Sequence, residues 1–290
     1  MSEQTTLYPL SAVRAVALRT QRLDVPNGAE PTPTPDVIYN MVAHLGCVQI
    51  DTLHMVRRSH YLVLWSRLGR YDPADFERLI YAPGERRLFE YWKHAMSIIP
   101  LADYRYHMPT MAAFRRSPGR WWEIWLERPE SQRVLEHVRK RLREEGPLRV
   151  ADFKHERSER GGWWDWKPAK GALEYLFARG EVMVADRVNF QRVYDLRERV
   201  LPEWVDTNEA SPEEADRHRI EQAVRALGIC QPMQAAEYAY MKRNSARPIV
   251  EGLIREGVFV EVQAELLDGE THTLIIHREN LPLLRQAADG

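Results

Sequence analysis

Gln49 and Asp51 stand two residues apart in the stretch Val48-Gln49-Ile50-Asp51. In an extended strand alternate side chains face opposite sides, so Val48 and Ile50 would enter a core while Gln49 and Asp51 project together. A carboxylate beside an amide can hold one water. The Asp accepts a proton from it or stabilises developing positive charge, and the Gln, donor and acceptor at once, fixes its orientation. This suits hydrolysis of an N-glycosidic bond, whose transition state resembles an oxocarbenium ion and requires no metal. An alkylated purine, already positively charged, is a good leaving group. The same residues also have a plainer reading, with Gln49 on the surface and Asp51 an N-cap for the following TLHMV.

Three segments must position such a pair, and each reads as helices, then strands about a turn. In the first, LSAVRAVALRT has helical spacing. A Pro-rich loop follows, and Asp36 stands as the N-cap of VIYNMVAHL, with Gly46 as its stop. CVQI is strand-like, DPADFERLIYA is a helix, and LFEYWKHAMSII is a strand leading into irregular chain. In the second, SQRVLEHVRKRLREEG and PAKGALEYLFARG are helices, VADF is a short helical turn, and EVMVAD and NFQRVYDL are strands about a turn at residues 187–189. In the third, SPEEADRHRIEQAVRALG opens on a strong helix start. QPMQAAEYAY is a short second helix, and SARPIVEGLIREG is a third with Pro248 in its first turn. VFVEVQAELL and THTLIIH form a hairpin about Asp268-Gly269.

Helix, helix, helix and a two-stranded wing is the winged-helix plan, whose third helix enters a DNA groove. The expected fold is therefore mostly α with small β wings (α+β). It would comprise three tandem winged-helix units over residues 1–128, 129–205 and 206–290, the first unit carrying the motif and a linker.

The 290 residues suit two or three compact units, and 44% hydrophobic content excludes global disorder. No apolar run approaches the length that spans a membrane, and the N-terminus has no signal-peptide pattern. Two distant cysteines, Cys47 and Cys230, make neither a disulfide framework nor a zinc pattern, so a reduced cytoplasm is expected. The ten His form no metalloprotease-like motif, and the phosphate-loop and dinucleotide fingerprints are absent from the sequence; no metal and no cofactor are expected.

A net charge of −1 argues mildly against a nonspecific nucleic-acid binder. Its distribution argues the other way. Residues 52–71 carry only basic charges, at Arg57, Arg58, Arg67 and Arg70; residues 103–170 carry 16 Lys/Arg against 11 Asp/Glu; residues 198–222 carry 3 against 8. Such segregation can build a basic face, or be ordinary solvated helix surface. Arg57, Arg58 and Arg67 are candidate phosphate contacts, with solvation or ion pairing as the alternative. Trp163, Trp164 and Trp166 surround Asp165 just before Lys167 and Lys170, a loop that either faces DNA or covers the second core. His54, one helical turn beyond Asp51, either faces the lesion or lies on a helix surface.

The stretch LGCVQIDTLHMVRRSHYLVLWSRLGRY resembles the AlkZ/YcaQ-like family of bacterial winged-helix DNA glycosylases, as do FEYWKHAMSIIP and KPAKGALEYLFARGEVMVADRVNFQRVYDLRERVLP. The resemblance implies three winged helices on duplex DNA, monofunctional removal of alkylated purines, notably 7-alkylguanine, and unhooking of interstrand crosslinks. It implies that Gln49 and Asp51 are catalytic, in the Gln-apolar-Asp branch with the broader substrate range. Tyr91, Trp92 and His94 resemble family positions near the lesion, where aromatics stack on a base or an abasic gap; an aromatic pair on a strand is also half core. Family members continue into a β-rich C-terminal domain that this sequence, ending at Gly290, does not include. The expected partner is double-stranded DNA bearing alkylated purines, bound by a monomer in the cytoplasm, on the nucleoid. The alternative is a winged-helix regulator that binds DNA without chemistry, in which Asp51 is only a cap.

Overall fold

A computed structural model describes residues 6–24, 32–52, 55–153 and 168–289. A short strand β1 (Leu7–Tyr8) leads into α1 (Leu10–Thr20). Helix α2 (Pro35–Leu45) begins one residue before the expected cap. Pro35, with its φ preset for the first helical position, draws the start back. The Thr34 side chain, not that of Asp36, then accepts the Val37 N–H at 3.4 Å. Gly46 ends α2 in the left-handed conformation, with φ 73°. β2 (Val48–Gln49) follows, and then α3 (Ser59–Leu68), a helix that the expected pattern lacks. α4 (Pro73–Tyr81) leads to β3 (Leu88–Trp92) and β4 (Met96–Pro100). The stretch expected to run from strand into irregular chain is thus two strands about a tight turn, in which the Lys93 N–H bonds the Ala95 carbonyl at 3.0 Å.

Helices α5 (Tyr104–Arg116) and α6 (Arg120–Leu126) occupy the expected linker. α7 (Pro129–Glu145), β5 (Leu148–Arg149), a 3₁₀ turn at Val150–Asp152 and α8 (Pro168–Ala178) precede the hairpin of β6 (Val182–Val188) and β7 (Gln191–Leu196). Its turn is Asn189-Phe190, both at positive φ, so Arg187 belongs to the strand. A two-residue turn with both central φ positive matches the strand twist.

After α9 (Arg197–Val200), Ser211 and Glu214 form a reciprocal capping box at the start of α10 (Pro212–Leu227). Then come β8 (Ile229–Cys230), α11 (Gln234–Tyr238) and α12 (Arg243–Arg255). α12 starts early enough that Pro248 lies inside it rather than in its first turn. The hairpin of β9 (Phe259–Glu265) and β10 (Thr271–His277) leads to α13 (Leu281–Asp289), a helix the pattern reading omits. Among the described residues no helix is long and apolar enough to cross a membrane.

The chain gathers into two compact units, Met1–Phe76 with Lys93–Pro100 and Ser211–Gly290, and Glu77–Trp92 with Leu101–Ala210. In the first unit the third hairpin anchors the sheet order β1-β9-β10-β8, with β1 parallel to β9. One face buries Ile220, Val224, Leu253 and Phe259; the other buries Ala12, Val16, Leu274 and Leu284, where α1 packs on α13. α2 packs against β4, α3 and α10.

The second unit is built on a sheet of order β5-β7-β6. Its core holds a buried ion pair. Arg187 Nε and Nη2 donate to the two oxygens of Glu90 at 2.6 and 2.7 Å, and the Tyr81 hydroxyl donates to Glu90 Oε1 at 2.6 Å. The same guanidinium donates to the Phe190 carbonyl at 2.8 Å and lies 4.3 Å from that ring, so it also fastens the hairpin turn. β6 bulges at Ala185, and the buried Arg86 donates to the carbonyls of Val184 and Ala185 there, at 3.2 and 2.9 Å.

A half-removed buried pair leaves an uncompensated charge. Glu90→Ala is therefore expected to destabilise the second unit by about 3–5 kcal/mol, whereas the apolar double variant Glu90→Leu/Arg187→Leu should recover most of that loss. Urea unfolding of the three proteins measures the difference.

Candidate active site

The motif begins where α2 stops. Tyr238, at the end of α11, donates its hydroxyl to the Leu45 carbonyl at 2.8 Å. Lys93 Nζ donates to the next carbonyl, of Gly46, at 3.3 Å and to Gln222 Oε1 of α10 at 3.1 Å. Carbonyls at a helix C-terminus have no partner within the helix. Here two of them are taken by side chains from elsewhere in the same unit, which fixes the exit of the chain toward β2.

β2 pairs antiparallel with β4, Val48 opposite Ile98 and Gln49 opposite Ser97. The Ile50 N–H carries the ladder one residue further, to the Met96 carbonyl at 2.8 Å. Val48 and Ile50 are buried, Gln49 is exposed and Asp51 half-buried. The alternation thus persists past the end of the strand and leaves Gln49 and Asp51 on the outward side.

His94, in the turn before β4, places Nε2 3.0 Å from Gln49 Oε1. With the imidazole N–H donating to that oxygen, the amide orientation is decided, and the Gln49 NH₂ hydrogens remain to be offered outward. An ionised Asp51 offers only acceptors. The two side chains are therefore complementary: a water can donate to the carboxylate while the amide holds its oxygen. Just beyond, Met55 and Val56 are 94% and 85% exposed, an apolar pair that sequence patterning passes over because only the fold shows it uncovered.

The remaining candidates divide. Arg57 is exposed, its guanidinium carbon 5.3 Å from the Tyr61 ring centroid. Arg58 folds back to donate to the Thr52 carbonyl at 2.8 Å, so it closes the loop after Asp51. Arg67 is half-buried and bonds the Val63 carbonyl and the Ser66 hydroxyl of its own helix, with its Nε buried and unpartnered; desolvation lowers its pKa. That geometry directs Arg67 inward rather than toward a phosphate. Lys170 lies 3.8 Å from Glu174 along α8, a pairing that offsets its charge. His54, Lys167 and the Trp163–Trp166 loop lie outside the described residues.

Tyr91 does not join the site. It is 3% exposed in the second unit, donates its hydroxyl to the Ala178 carbonyl at 2.7 Å, and packs on Phe89, His107 and Phe177. Burial pushes its phenol far above the usual range. β3 is buried continuously from Leu88 to Tyr91, so the half-core alternative falls to Tyr91, whereas Trp92 at the end of the strand is 46% exposed.

Two other features bear on binding. In the second unit Arg115, Arg139, Arg143, Arg179 and Arg197 line a cleft of about 270 Å³ against Glu181 and Glu198. Glu181 takes Arg139 at 3.0 Å and Arg179 at 2.6 Å, and among the described residues Arg115 and Arg143 have no carboxylate in ion-pair range. These arginines come from α5, α7, the α8–β6 corner and the start of α9, so a count along the sequence shows only diffuse basicity. At the tip of the third hairpin, Asp268, Glu270 and His272 hold potential metal-ligand atoms within 4.8 Å of one another. There the Glu270 N–H and His272 both bond Asp268, which accounts for the grouping as a closed turn.

The sequence profile of a family described as DNA glycosylase AlkZ-like matches residues 42–289. In fold, the chain is similar to Streptomyces sahachiroi DNA glycosylase AlkZ, with a TM-score of 0.61 at 15% identity, over 97% of this chain and 72% of that one.

Gly46 is the residue on which this geometry turns. Its φ of 73° suits glycine, and a Cβ there would meet the Gln222 carboxamide that Lys93 holds. Gly46→Ala is expected to cost about 1–3 kcal/mol. Thermal unfolding checks the loss, and amide exchange at Ile50 should quicken as the β2–β4 ladder loosens.

Proposed function

The chain belongs to the AlkZ-like DNA glycosylase family, and we propose that it hydrolyses the N-glycosidic bond of alkylated purines, 7-alkylguanine above all, with Gln49 and Asp51 as the catalytic pair. The observation that carries this reading is the outward-facing amide and carboxylate on a strand whose neighbouring residues are buried, with the amide oriented by His94 at 3.0 Å.

In the proposed reaction the bond between C1′ and the purine nitrogen breaks, and its electron pair neutralises the cationic ring, which leaves uncharged. Positive charge passes to C1′, where the Asp51 carboxylate stabilises it. The water oxygen bonds to C1′ and its proton goes to Asp51. Gln49 holds the water through its amide hydrogens. No covalent enzyme intermediate forms, so the product is an intact abasic site.

The openness of the motif supports a wider range, including unhooking of crosslinks. A base tethered to both strands cannot swing into a deep pocket, whereas an exposed pair can be brought to it.

Three runs of elements support a winged-helix scaffold: α2–β2–α3–α4–β3–β4, α7–β5–3₁₀–α8–β6–β7 and α10–β8–α11–α12–β9–β10. In the second and third runs the sheet has the same order, first strand, third, second. On this reading the arginine cleft of the second unit contacts duplex phosphates, an interaction that positions without reading sequence.

Duplexes carrying 7-methylguanine test the chemistry. The wild type should release the base and leave alkali-labile sites. Asp51→Asn should lose about 10²–10⁴-fold in single-turnover rate with DNA affinity retained, and Gln49→Ala about 10–100-fold. Absence of base release by the wild type from any alkylated duplex would sink the reading and leave a DNA-binding protein.

Binding makes a separate prediction. Arg115→Ala/Arg143→Ala should weaken damaged and undamaged duplexes alike and lower the slope of log K against log salt by about one per arginine. Fluorescence anisotropy across a salt series measures it.

A further inference from the structure

Tyr240 stands where glycine is the usual residue. α11 ends in a Schellman arrangement, with the Met241 N–H on the Ala236 carbonyl at 2.8 Å and the Tyr240 N–H on the Glu237 carbonyl at 3.1 Å. The residue between must be left-handed, and glycine is the usual occupant. In the same arrangement α8 uses Gly180 and α12 uses Gly257. α11 uses Tyr240, at φ 54°. A bulky side chain in this region is strained unless its surroundings repay it.

Packing does not repay it, because Tyr240 is 74% exposed. The other non-glycine residues at positive φ differ. Asn189 is a residue type that tolerates the conformation, Phe190 is held by Arg187 at both carbonyl and ring, and Arg22, which closes α1 in the same arrangement with the Leu23 N–H on the Leu18 carbonyl at 2.8 Å, is half-buried. What Tyr240 touches is His94: the rings are 6.0 Å apart at 47°, and His94 is the group bonded to Gln49. α11 is itself pinned to the root of the motif by Tyr238, so the position of the Tyr240 ring is coupled to that of β2.

We propose that Tyr240 is a substrate-contacting residue whose ring stacks on the damaged purine and, with His94, places its C1′ over Gln49 and Asp51. The inference rests on the proposed glycosylase reading. A phenol ring attracts a cation to its face, so a positively charged 7-alkylpurine is favoured over neutral guanine. The stack also supplies orientation that an open site lacks, since base–aromatic stacking tolerates any purine face.

The experiment compares wild type, Tyr240→Phe, Tyr240→Ala and Tyr240→Gly on duplexes with and without 7-methylguanine, reading excision kinetics, affinity and thermal midpoint. Tyr240→Gly relieves the backbone strain, so its midpoint should not fall and should rise by up to about 4 °C. Its kcat/KM should nonetheless fall about 10–100-fold, as should that of Tyr240→Ala, while Tyr240→Phe keeps activity within about threefold. Affinity for undamaged duplex should be unchanged in all three variants. A Tyr240→Gly protein that is as stable and as active as the wild type overturns the proposal. If the wild type releases no base, the catalytic reading fails and Tyr240 is judged on binding: the preference for the 7-methylguanine duplex must then vanish in Tyr240→Gly. A preference that persists in that variant, or is missing from the wild type, overturns the inference.

Discussion

The turn at Gly46 is the constraint on which the first unit depends. A helix must stop, its last carbonyls must find donors, and the chain must leave at the angle that lets β2 pair with β4. Left-handed φ at one glycine solves the geometry, and the donors come from Tyr238 and Lys93. Those donors are remote in sequence, the first in the third segment and the second beside β4. Lys93 in turn needs Gln222 of α10. Stretches near residues 46, 93, 222 and 238 therefore converge on one turn. This is a physical reason for α10 to pack on α2, and for the first and third segments to share one unit. A pair of polar residues on a two-residue strand has little intrinsic rigidity; it acquires rigidity here because both ends of its strand are fastened.

Unit two meets the same requirement with charge instead of a turn. Glu90 is buried and the Arg187 side chain is 11% exposed, and a pair so desolvated adds little net stability because desolvation offsets the attraction. What it does is specify. Arg187 can satisfy both oxygens of Glu90 and the Phe190 carbonyl only when β6 pairs with β7 in the observed register and the turn takes two positive φ values. Arg86 does the same at the β6 bulge, supplying donors to carbonyls that the ladder skips.

Much of this was legible in the sequence wherever one local signal decides the matter. Ser211 with Glu214 marked the start of α10, Gly46 marked the end of α2, and Val48 and Ile50 marked the buried face of the motif strand. Signals failed where two local rules compete or where a partner is remote. Pro35 outweighed Asp36 at the start of α2, and Pro248 was tolerated inside α12. The turn that folds β3 back to β4 lacks Gly, Pro or Asn, so nothing in it announced a reversal. Tyr91 and Trp92 are adjacent aromatics on one strand, and only the fold shows that the buried run of β3 ends between them, leaving the first in the core and the second on the surface. His94 and Tyr240 lie far apart in sequence, and the contact of Tyr240 with the histidine that bonds Gln49 is a product of the fold alone.

Electrostatics explains how a chain of net charge −1 can sit in a DNA glycosylase family. Four of its arginines are committed within the protein: Arg86 and Arg187 in the second unit, Arg67 to its own helix, Arg58 to the Thr52 carbonyl just after Asp51. The remaining cations are balanced by carboxylates, 41 Lys/Arg in all against 42 Asp/Glu, so sequence-independent affinity should be modest. A modest grip is compatible with repair if discrimination resides at the lesion. On the proposed reading the lesion carries its own positive charge, and the groups that face it are a carboxylate at Asp51 and the π face of Tyr240. Both favour a cation over the neutral guanine that outnumbers it. Strong nonspecific binding would hold the enzyme on undamaged DNA without improving that ratio, and a near-neutral chain avoids it.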